Sequence, residues 1–81
     1  MSTYSSHLNQ LLDHLLAMGS RKAMDNALRD LLTPAEYAEI VKRLQIFRML
    51  EAGMPQRKIA EELGVGIATV TRGARALKSH E

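Results

Sequence analysis

Apolar residues recur along this chain at helical spacing. A first stripe with the spacing i, i+3, i+4, i+7 and i+8 comprises Leu8, Leu11, Leu12, Leu15 and Leu16. A second comprises Met24, Ala27, Leu28, Leu31 and Leu32. No run alternates apolar and polar residues, as a half-buried strand would. The pattern predicts an all-α fold in which the first helix ends at Gly19 and Ser20 caps the second.

A third, longer helix is predicted to begin at the segment LTPAE. Thr33 and Glu36 have the spacing of a capping box, and Pro34 suits the first helical position. The helix should end at Gly53. Its apolar residues are Tyr37, Ile40, Val41, Leu44, Ile46, Phe47, Met49 and Leu50. These are too many for one stripe, so the helix is expected to be buried on several sides, with a second subunit as one neighbour.

Two shorter helices, at about 55–63 and 67–78, are predicted on either side of the segment GVG. Ile59 and Leu63 are expected to face the core, and Ala60 is small where the two helices would cross. Gly64 can adopt a positive φ at the turn. On the second helix one side comprises Ile67, Val70, Ala74 and Leu77. This arrangement predicts a helix-turn-helix over residues 56–75.

Short side chains after the turn would let the second of these helices approach the major groove of DNA closely. Their methyl and hydroxyl groups can contact base edges, and backbone N–H groups at a helix start can bind a phosphate. The start of the preceding helix is suited to phosphate contacts. The predicted DNA-binding residues are Gln56, Arg57, Gly66, Ile67, Ala68, Thr69, Thr71 and Arg72. We therefore predict a protein that binds double-stranded DNA with few direct base contacts.

The 81-residue length allows one small domain. There is no cysteine for a disulfide or a thiolate metal site, so oligomerisation is the remaining route to extra stability. We predict a single domain over residues 1–81. Within it, residues 1–32 would form dimerisation helices, 33–53 the central helix and 55–78 the helix-turn-helix unit.

The excess positive charge of the chain lies near the C-terminus. The formal net charge is +2, and residues 66–80 contain three cations, Arg72, Arg75 and Lys78, but no acid. The N-terminal segment MSTYSSHLNQ lacks the features of a signal peptide, and no apolar run is long enough to span a membrane. We expect a cytoplasmic protein with no membrane association. The histidines are scattered, so we expect neither a metal site, nor a cofactor, nor an enzyme.

Four segments resemble the tryptophan repressor family: LTP at 32–34, QR at 56–57, GVGIATVTRG at 64–73 and LK at 77–78. The resemblance covers about residues 32–78, and the ten-residue block is much more specific than a generic helix-turn-helix. It implies an all-helical, intertwined homodimer that binds a palindromic operator. It also implies a small-molecule corepressor, L-tryptophan, in a pocket between the central helix and the recognition helix.

The same resemblance implies that Thr33, Arg43, Arg72 and Gly73 bind the corepressor. Arg43 and Arg72 match the two arginines that flank the indole, since guanidinium groups pair with carboxylates and stack on aromatic rings. Gly73 matches the pocket wall. From the residues alone, Arg43 has a second interpretation as a surface ion pair with Glu39, four residues earlier. A glycine in mid-helix costs about 1 kcal/mol, so either a ligand or a packed helix should approach Gly73.

Several departures from the family pattern leave the effector open. Ala76 stands where the family has a hydroxyl residue that contacts the amino group of the ligand, and Ala60 replaces a lysine that contacts phosphate. The loop at Gly53 is one residue shorter, and we expect the family's last helix to be absent because the sequence stops at Glu81. Two other functions stay open here: a ligand-independent helix-turn-helix regulator, and a helical dimerisation or adaptor module without specific DNA binding.

Overall fold

A computed structural model describes residues 3–79, so the chain end at Glu81 lies outside the described residues. This range contains five α-helices and no strand, which confirms the all-α prediction. The helices are α1 (Thr3–Leu16), α2 (Arg21–Leu31), α3 (Pro34–Glu51), α4 (Gln56–Leu63) and α5 (Ile67–Lys78). None of the helices in the described range is long and apolar enough to cross a membrane. The intertwined homodimer stays a prediction.

The chain divides into two compact units, Met1–Tyr37 and Ala38–Glu81. The division falls inside α3, whereas we predicted the boundary between the dimerisation helices and the central helix near residue 33. The grouping of all residues into one domain stays a prediction.

Helices α1 and α2 belong to the first unit. No residue of α1 is buried, and in α2 only Ala27 is. Ser20 caps α2 as predicted, because its hydroxyl accepts a hydrogen bond of 3.1 Å from the Ala23 N–H. The prediction that Gly19 ends α1 is wrong: α1 ends at Leu16, and Gly19 does not have a positive φ. The helix ends in a tighter turn in which the Met18 N–H donates to the Leu15 carbonyl.

The start of α3 confirms the predicted capping box. The Glu36 N–H donates to Thr33 Oγ1 at 3.1 Å, and the Thr33 N–H donates to Glu36 Oε1 at 2.9 Å. These two bonds satisfy backbone donors that have no partner within the helix. Sequence alone therefore located the beginning of α3 correctly.

A polar cluster joins α2 to the first turn of α3 within the same unit. The Tyr37 hydroxyl donates to Asp25 Oδ1 at 2.7 Å, and Arg29 Nε lies 3.0 Å from the same oxygen. The Arg29 guanidinium also lies 5.4 Å from the centre of the Tyr37 ring. The hydrogen bond from Tyr37 and then that from Arg29 lower the pKa of Asp25, and the Asp25 carboxylate raises the pKa of Tyr37.

The core of the second unit is built by residues from α3, α4 and α5. Ile46, Ile59 and Val70 are fully buried at its centre. The partly buried residues around them are Met49, Leu50, Met54, Ala60, Leu63 and Val65. The predicted core positions of Ile59, Leu63 and Val70 are thus confirmed.

Two glycines with positive φ separate the three helices of this unit. Gly53 (φ +85°) follows α3, and the Met54 N–H donates to the Met49 carbonyl. Gly64 (φ +64°) follows α4, and the Val65 N–H donates to the Ala60 carbonyl. In both cases the N–H of one residue donates to the carbonyl five residues earlier, which is the bond of the Schellman motif at helix C-termini. The predicted roles of Gly53 and Gly64 are confirmed.

Candidate nucleic-acid interface and ligand cleft

Helices α4 and α5 pack against each other and are separated by a three-residue turn, 64–66. Val65 packs against the core at this turn, as expected of a residue that holds two helices at a fixed angle. Ile59 of α4 and Val70 of α5 are buried together in that core. The order of elements and the left-handed Gly64 agree with a helix-turn-helix, in which α5 would be the recognition helix.

Most of the predicted DNA-binding residues are accessible at the surface of this unit. Those that are exposed are Arg57, Gly66, Ile67, Ala68 and Arg72. Those that are half-buried are Gln56, Thr69 and Thr71. We placed Ile67 both on the same side of α5 as Val70 and on the outward face of the helix; the residue is 51% exposed, in agreement with the outward face. It lies in the first turn of α5, before the helix reaches the core at Val70.

The first turn of α5 has backbone donors without a capping side chain. Gly66 is the N-cap residue, with φ −71° and ψ 152°, and it has no side chain that could accept a hydrogen bond. The N–H groups at such a helix start carry partial positive charge and point outwards along the axis. This geometry agrees with the predicted phosphate contact near Gly66 and Ile67, which stays a prediction.

The hydroxyl of Thr71, a predicted DNA contact, is also bonded within the protein. Thr71 Oγ1 lies 2.9 Å from Gln56 Oε1 and 3.0 Å from the Ile67 carbonyl oxygen, so it donates within the protein. The bond to Gln56 joins α5 to the first residue of α4. Because the amide oxygen of Gln56 accepts this bond, its NH₂ group is left as the part that can donate to a nucleic acid.

A cleft of about 440 Å³ lies between α3 and α5 within the second unit. Its lining residues from α3 are Glu39, Arg43, Ile46 and Phe47. Its lining residues from α5 are Thr69, Arg72, Gly73 and Ala76. The cleft combines two guanidinium groups, one carboxylate, one hydroxyl and an apolar wall. This combination suits a small molecule that has both charged groups and a flat apolar part.

The cleft brings together three of the four residues that the resemblance implied for corepressor binding. Arg43, Arg72 and Gly73 all line it. Thr33 is not among the lining residues; it belongs to the first unit, where its hydroxyl caps α3. Ala76 also lines the cleft, so the departure from the family pattern at this position falls in the site itself.

The structure does not contain the ion pair between Arg43 and Glu39 that was the alternative interpretation of Arg43. No hydrogen bond or ion pair joins the two side chains, and both line the cleft. We did not predict Glu39, Ile46, Phe47 or Thr69 as ligand-site residues. Helical spacing could have found the three on α3, since Glu39, Ile46 and Phe47 lie four before, three after and four after Arg43.

Close packing of α5 against α3 accounts for the glycine in mid-helix. A Cβ atom on Gly73 would lie 2.7 Å from Ile46 Cγ2, 3.8 Å from Ile46 Cβ and 3.9 Å from Phe47 Cε1. Ile46 is only 1% exposed, so it has little room to move away. The sequence offered a ligand or a packed helix as the reason for Gly73, and a packed helix is what the structure has. Ile46 and Gly73 also both line the cleft.

The comparisons with known proteins agree on one family. The family model described as Trp repressor protein matches residues 6–81. The Trp operon repressor homolog of Vibrio cholerae serotype O1 is 39% identical over 75 residues, which cover 91% of this chain and 73% of that protein. The homolog of Vibrio vulnificus is 41% identical over 70 residues, covering 85% of this chain and 69% of that protein.

Another relative, the Trp operon repressor homolog of Aliivibrio fischeri, is 49% identical over 51 residues. That match covers 62% of this chain and 47% of the relative, so the chain matches about half the length of this protein. No solved structure is a significant match. Because the family model covers nearly the whole chain and the two Vibrio relatives align over more than two thirds of their length, this chain belongs to the Trp repressor family.

Proposed function

We propose that this protein is a sequence-specific DNA-binding transcriptional repressor that acts as a homodimer. Its activity would be controlled by an amino-acid corepressor, L-tryptophan or a close relative, bound between α3 and α5. The observation that carries the proposal is the position of the cleft directly behind the recognition helix. Arg72 and Gly73 of α5 form one of its walls, and Arg43 of α3 contributes to the other.

The charges and shape of the cleft support an amino-acid ligand. Arg43 and Arg72 can each donate to a carboxylate, and a guanidinium plane can stack on an aromatic ring. Ile46, Phe47 and Gly73 provide apolar surface for the ring itself. A volume of about 440 Å³ lies within the usual range for small-molecule sites.

A ligand in this cleft would act by positioning α5. It would separate α5 from α3 at the wall formed by Arg72 and Gly73, and so would fix the angle at which the first turn of α5 projects. In a twofold dimer the two recognition helices must enter successive major grooves, about 34 Å apart. A small change in angle at each protomer would bring this separation into or out of register with DNA.

The exposed apolar residues support the dimer. Leu16 is 82% exposed and Tyr4 is 74% exposed in α1, while Val41 of α3 is 53% exposed. Further exposed apolar residues of α1, α2 and α3 are Leu8, Leu11, Leu12, Leu31, Ile40 and Leu44. Exposed apolar residues in this number are typical of proteins that bind other proteins, and family membership makes a second copy of this chain the natural partner.

Calorimetry with L-tryptophan tests the ligand part of the proposal. The wild-type chain should bind L-tryptophan, and Arg43→Ala should weaken that binding by about tenfold or more, because a charge-assisted bond to the carboxylate is lost. Arg48→Ala is the matched control, since Arg48 is exposed on the same helix and does not line the cleft. Arg43 is not a predicted DNA contact, so ligand-free DNA affinity should be equal in all three proteins. Equal L-tryptophan affinity in the wild type and Arg43→Ala would contradict the assignment of the cleft.

A further inference from the structure

We infer that Glu39 binds the ammonium group of the corepressor, so that the cleft selects a zwitterionic amino acid over the corresponding carboxylic acid. This inference rests on the proposed function, because it assumes that the cleft between α3 and α5 is the ligand site. It adds a residue that determines specificity and states the class of ligand that the residue excludes.

Glu39 is the one acidic residue among the described residues that line the cleft. It lies one helical turn before Arg43, so the two side chains extend from the same face of α3. Opposite charges at this spacing would normally pair, yet no bond joins them. The side chain of Glu39 forms no hydrogen bond or ion pair with any residue between 3 and 79, so its oxygens are available to a ligand.

The remaining lining residues offer little else to an ammonium group. Ile46, Phe47, Gly73 and Ala76 present no side-chain acceptor, and Arg43 and Arg72 repel a cation. Thr69 is the remaining neutral acceptor among the residues that line the cleft. A carboxylate binds an ammonium group more strongly than a hydroxyl does, because both partners are charged. Glu39 therefore provides the stronger site for the cationic end of the ligand.

Two arginines and one glutamate in one cleft match the charges of an α-amino acid. The ligand carboxylate would pair with a guanidinium, and its ammonium group with Glu39. A deaminated analogue keeps the carboxylate and the ring but leaves Glu39 facing the apolar part of the ligand without a partner. Glu39 is exposed, so the loss would be that of the charge-assisted bond itself, and removal of the ammonium group should weaken binding by about 10- to 100-fold.

Calorimetry on the full-length chain with two probes tests this inference. The probes are L-tryptophan and indole-3-propionate, which differ only in the ammonium group. The wild type should prefer L-tryptophan by about tenfold or more. In Glu39→Gln the preference should fall to about threefold or less, through weaker binding of L-tryptophan and equal or tighter binding of indole-3-propionate. Glu51→Gln is the matched control, because Glu51 is an exposed acid on α3 outside the cleft.

The outcomes separate the two levels of the argument. If the wild type prefers L-tryptophan and Glu39→Gln keeps that preference, the role of Glu39 is wrong while the cleft remains a ligand site. If Thr69→Val abolishes the preference and Glu39→Gln does not, the hydroxyl binds the ammonium group and the inference is overturned. If neither probe binds the wild type, the proposed corepressor site falls and this inference falls with it. Circular dichroism melting of each variant verifies that it is folded.

Discussion

Gly73 of α5 lies directly against Ile46 of α3, where a Cβ atom on the glycine would come within 2.7 Å of Ile46 Cγ2. Real Cβ atoms do not approach other heavy atoms this closely, so only a glycine permits the observed distance between the two helices. The contact joins the buried core to the wall of the cleft, because Ile46 belongs to the core and also lines the cleft beside Gly73. Helix packing and the proposed ligand site therefore depend on the same pair of residues.

We predict that Gly73→Ala lowers the free energy of unfolding, although alanine favours a helix. The helical preference would contribute about 1 kcal/mol in favour of alanine, whereas overpacking of a core typically costs about 1–3 kcal/mol. Denaturant unfolding at a fixed chain concentration measures the net effect. Gly19→Ala is the control, because nothing lies within 4 Å of a Cβ atom there. A Gly73→Ala protein more stable than the wild type would show that α5 can move away from Ile46 freely.

Gly64→Ala is expected to destabilise the turn between α4 and α5. Gly64 has φ +64° and ψ 36°, a left-handed conformation that costs an ordinary L-residue about 1–2 kcal/mol. Gly64→Asn should cost less, since asparagine tolerates this conformation better than alanine. The ranking of denaturant midpoints, with the wild type highest and alanine lowest, checks the prediction. Equal midpoints for alanine and asparagine would contradict it.

Removal of the Tyr37 hydroxyl should alter the acid dependence of stability. The hydrogen bond from Tyr37 is the main reason that the pKa of Asp25 is lowered. The stabilisation of the folded protein by this hydrogen bond is therefore fully present above the ordinary aspartate pKa of about 3.9. It is lost as the pH falls through the lowered pKa of Asp25. The difference in stability between the wild type and Tyr37→Phe should be constant near neutral pH and shrink in acid.

Thermal melts between neutral and strongly acidic pH, at one chain concentration, measure that difference. Tyr4→Phe is the control, since Tyr4 is 74% exposed in α1. The difference in stability should also shrink at high pH, because the pKa of Tyr37 is raised in the folded protein. The stabilisation by the Tyr37 hydroxyl is therefore lost as the pH rises from about 10 through the raised pKa. A difference between Tyr37→Phe and the wild type that is independent of pH would refute the coupling.

Thr71→Val should weaken the connection between α4 and α5. The hydroxyl of Thr71 donates to Gln56 Oε1 at 2.9 Å in a half-buried site, and such a bond contributes about 1 kcal/mol. We expect lower stability and, because the Gln56 amide is released, weaker DNA binding. Thr71→Ser keeps the hydroxyl and should restore much of the DNA affinity. Equal DNA affinity in the valine and serine variants would exclude a positioning role.

Local signals in the sequence identified most of the fold. The capping box at Thr33 and Glu36, the caps at Ser20 and Gly64, and the spacing around Ile59 and Val70 each depend on neighbours a few residues away. The end of α1 was misplaced at Gly19, since two residues before it already leave the helix. Such an end depends on the competition between 3₁₀ and α hydrogen bonds, which composition does not reveal.

The candidate site was harder to predict, because it joins two helices that are separated in sequence. Arg43, Arg72 and Gly73 came from the family resemblance, and helical spacing places Glu39 next to Arg43, but it does not show that α5 packs there to close a cleft. Likewise, the hydroxyl of Thr71 appeared free until its distance to Gln56 was known. Contacts between helices depend on the angle and depth of packing, which a pattern along one chain does not specify.

The most direct test of the account is the effect of L-tryptophan on DNA affinity. A palindromic duplex should first be selected from a random pool in the presence of L-tryptophan, and its binding then measured by fluorescence anisotropy at a stated salt concentration. The account predicts that L-tryptophan tightens binding by about tenfold or more, typical of coupling between two sites. The same dissociation constant with and without L-tryptophan would contradict it, and would favour a repressor whose recognition helices need no ligand to fit DNA.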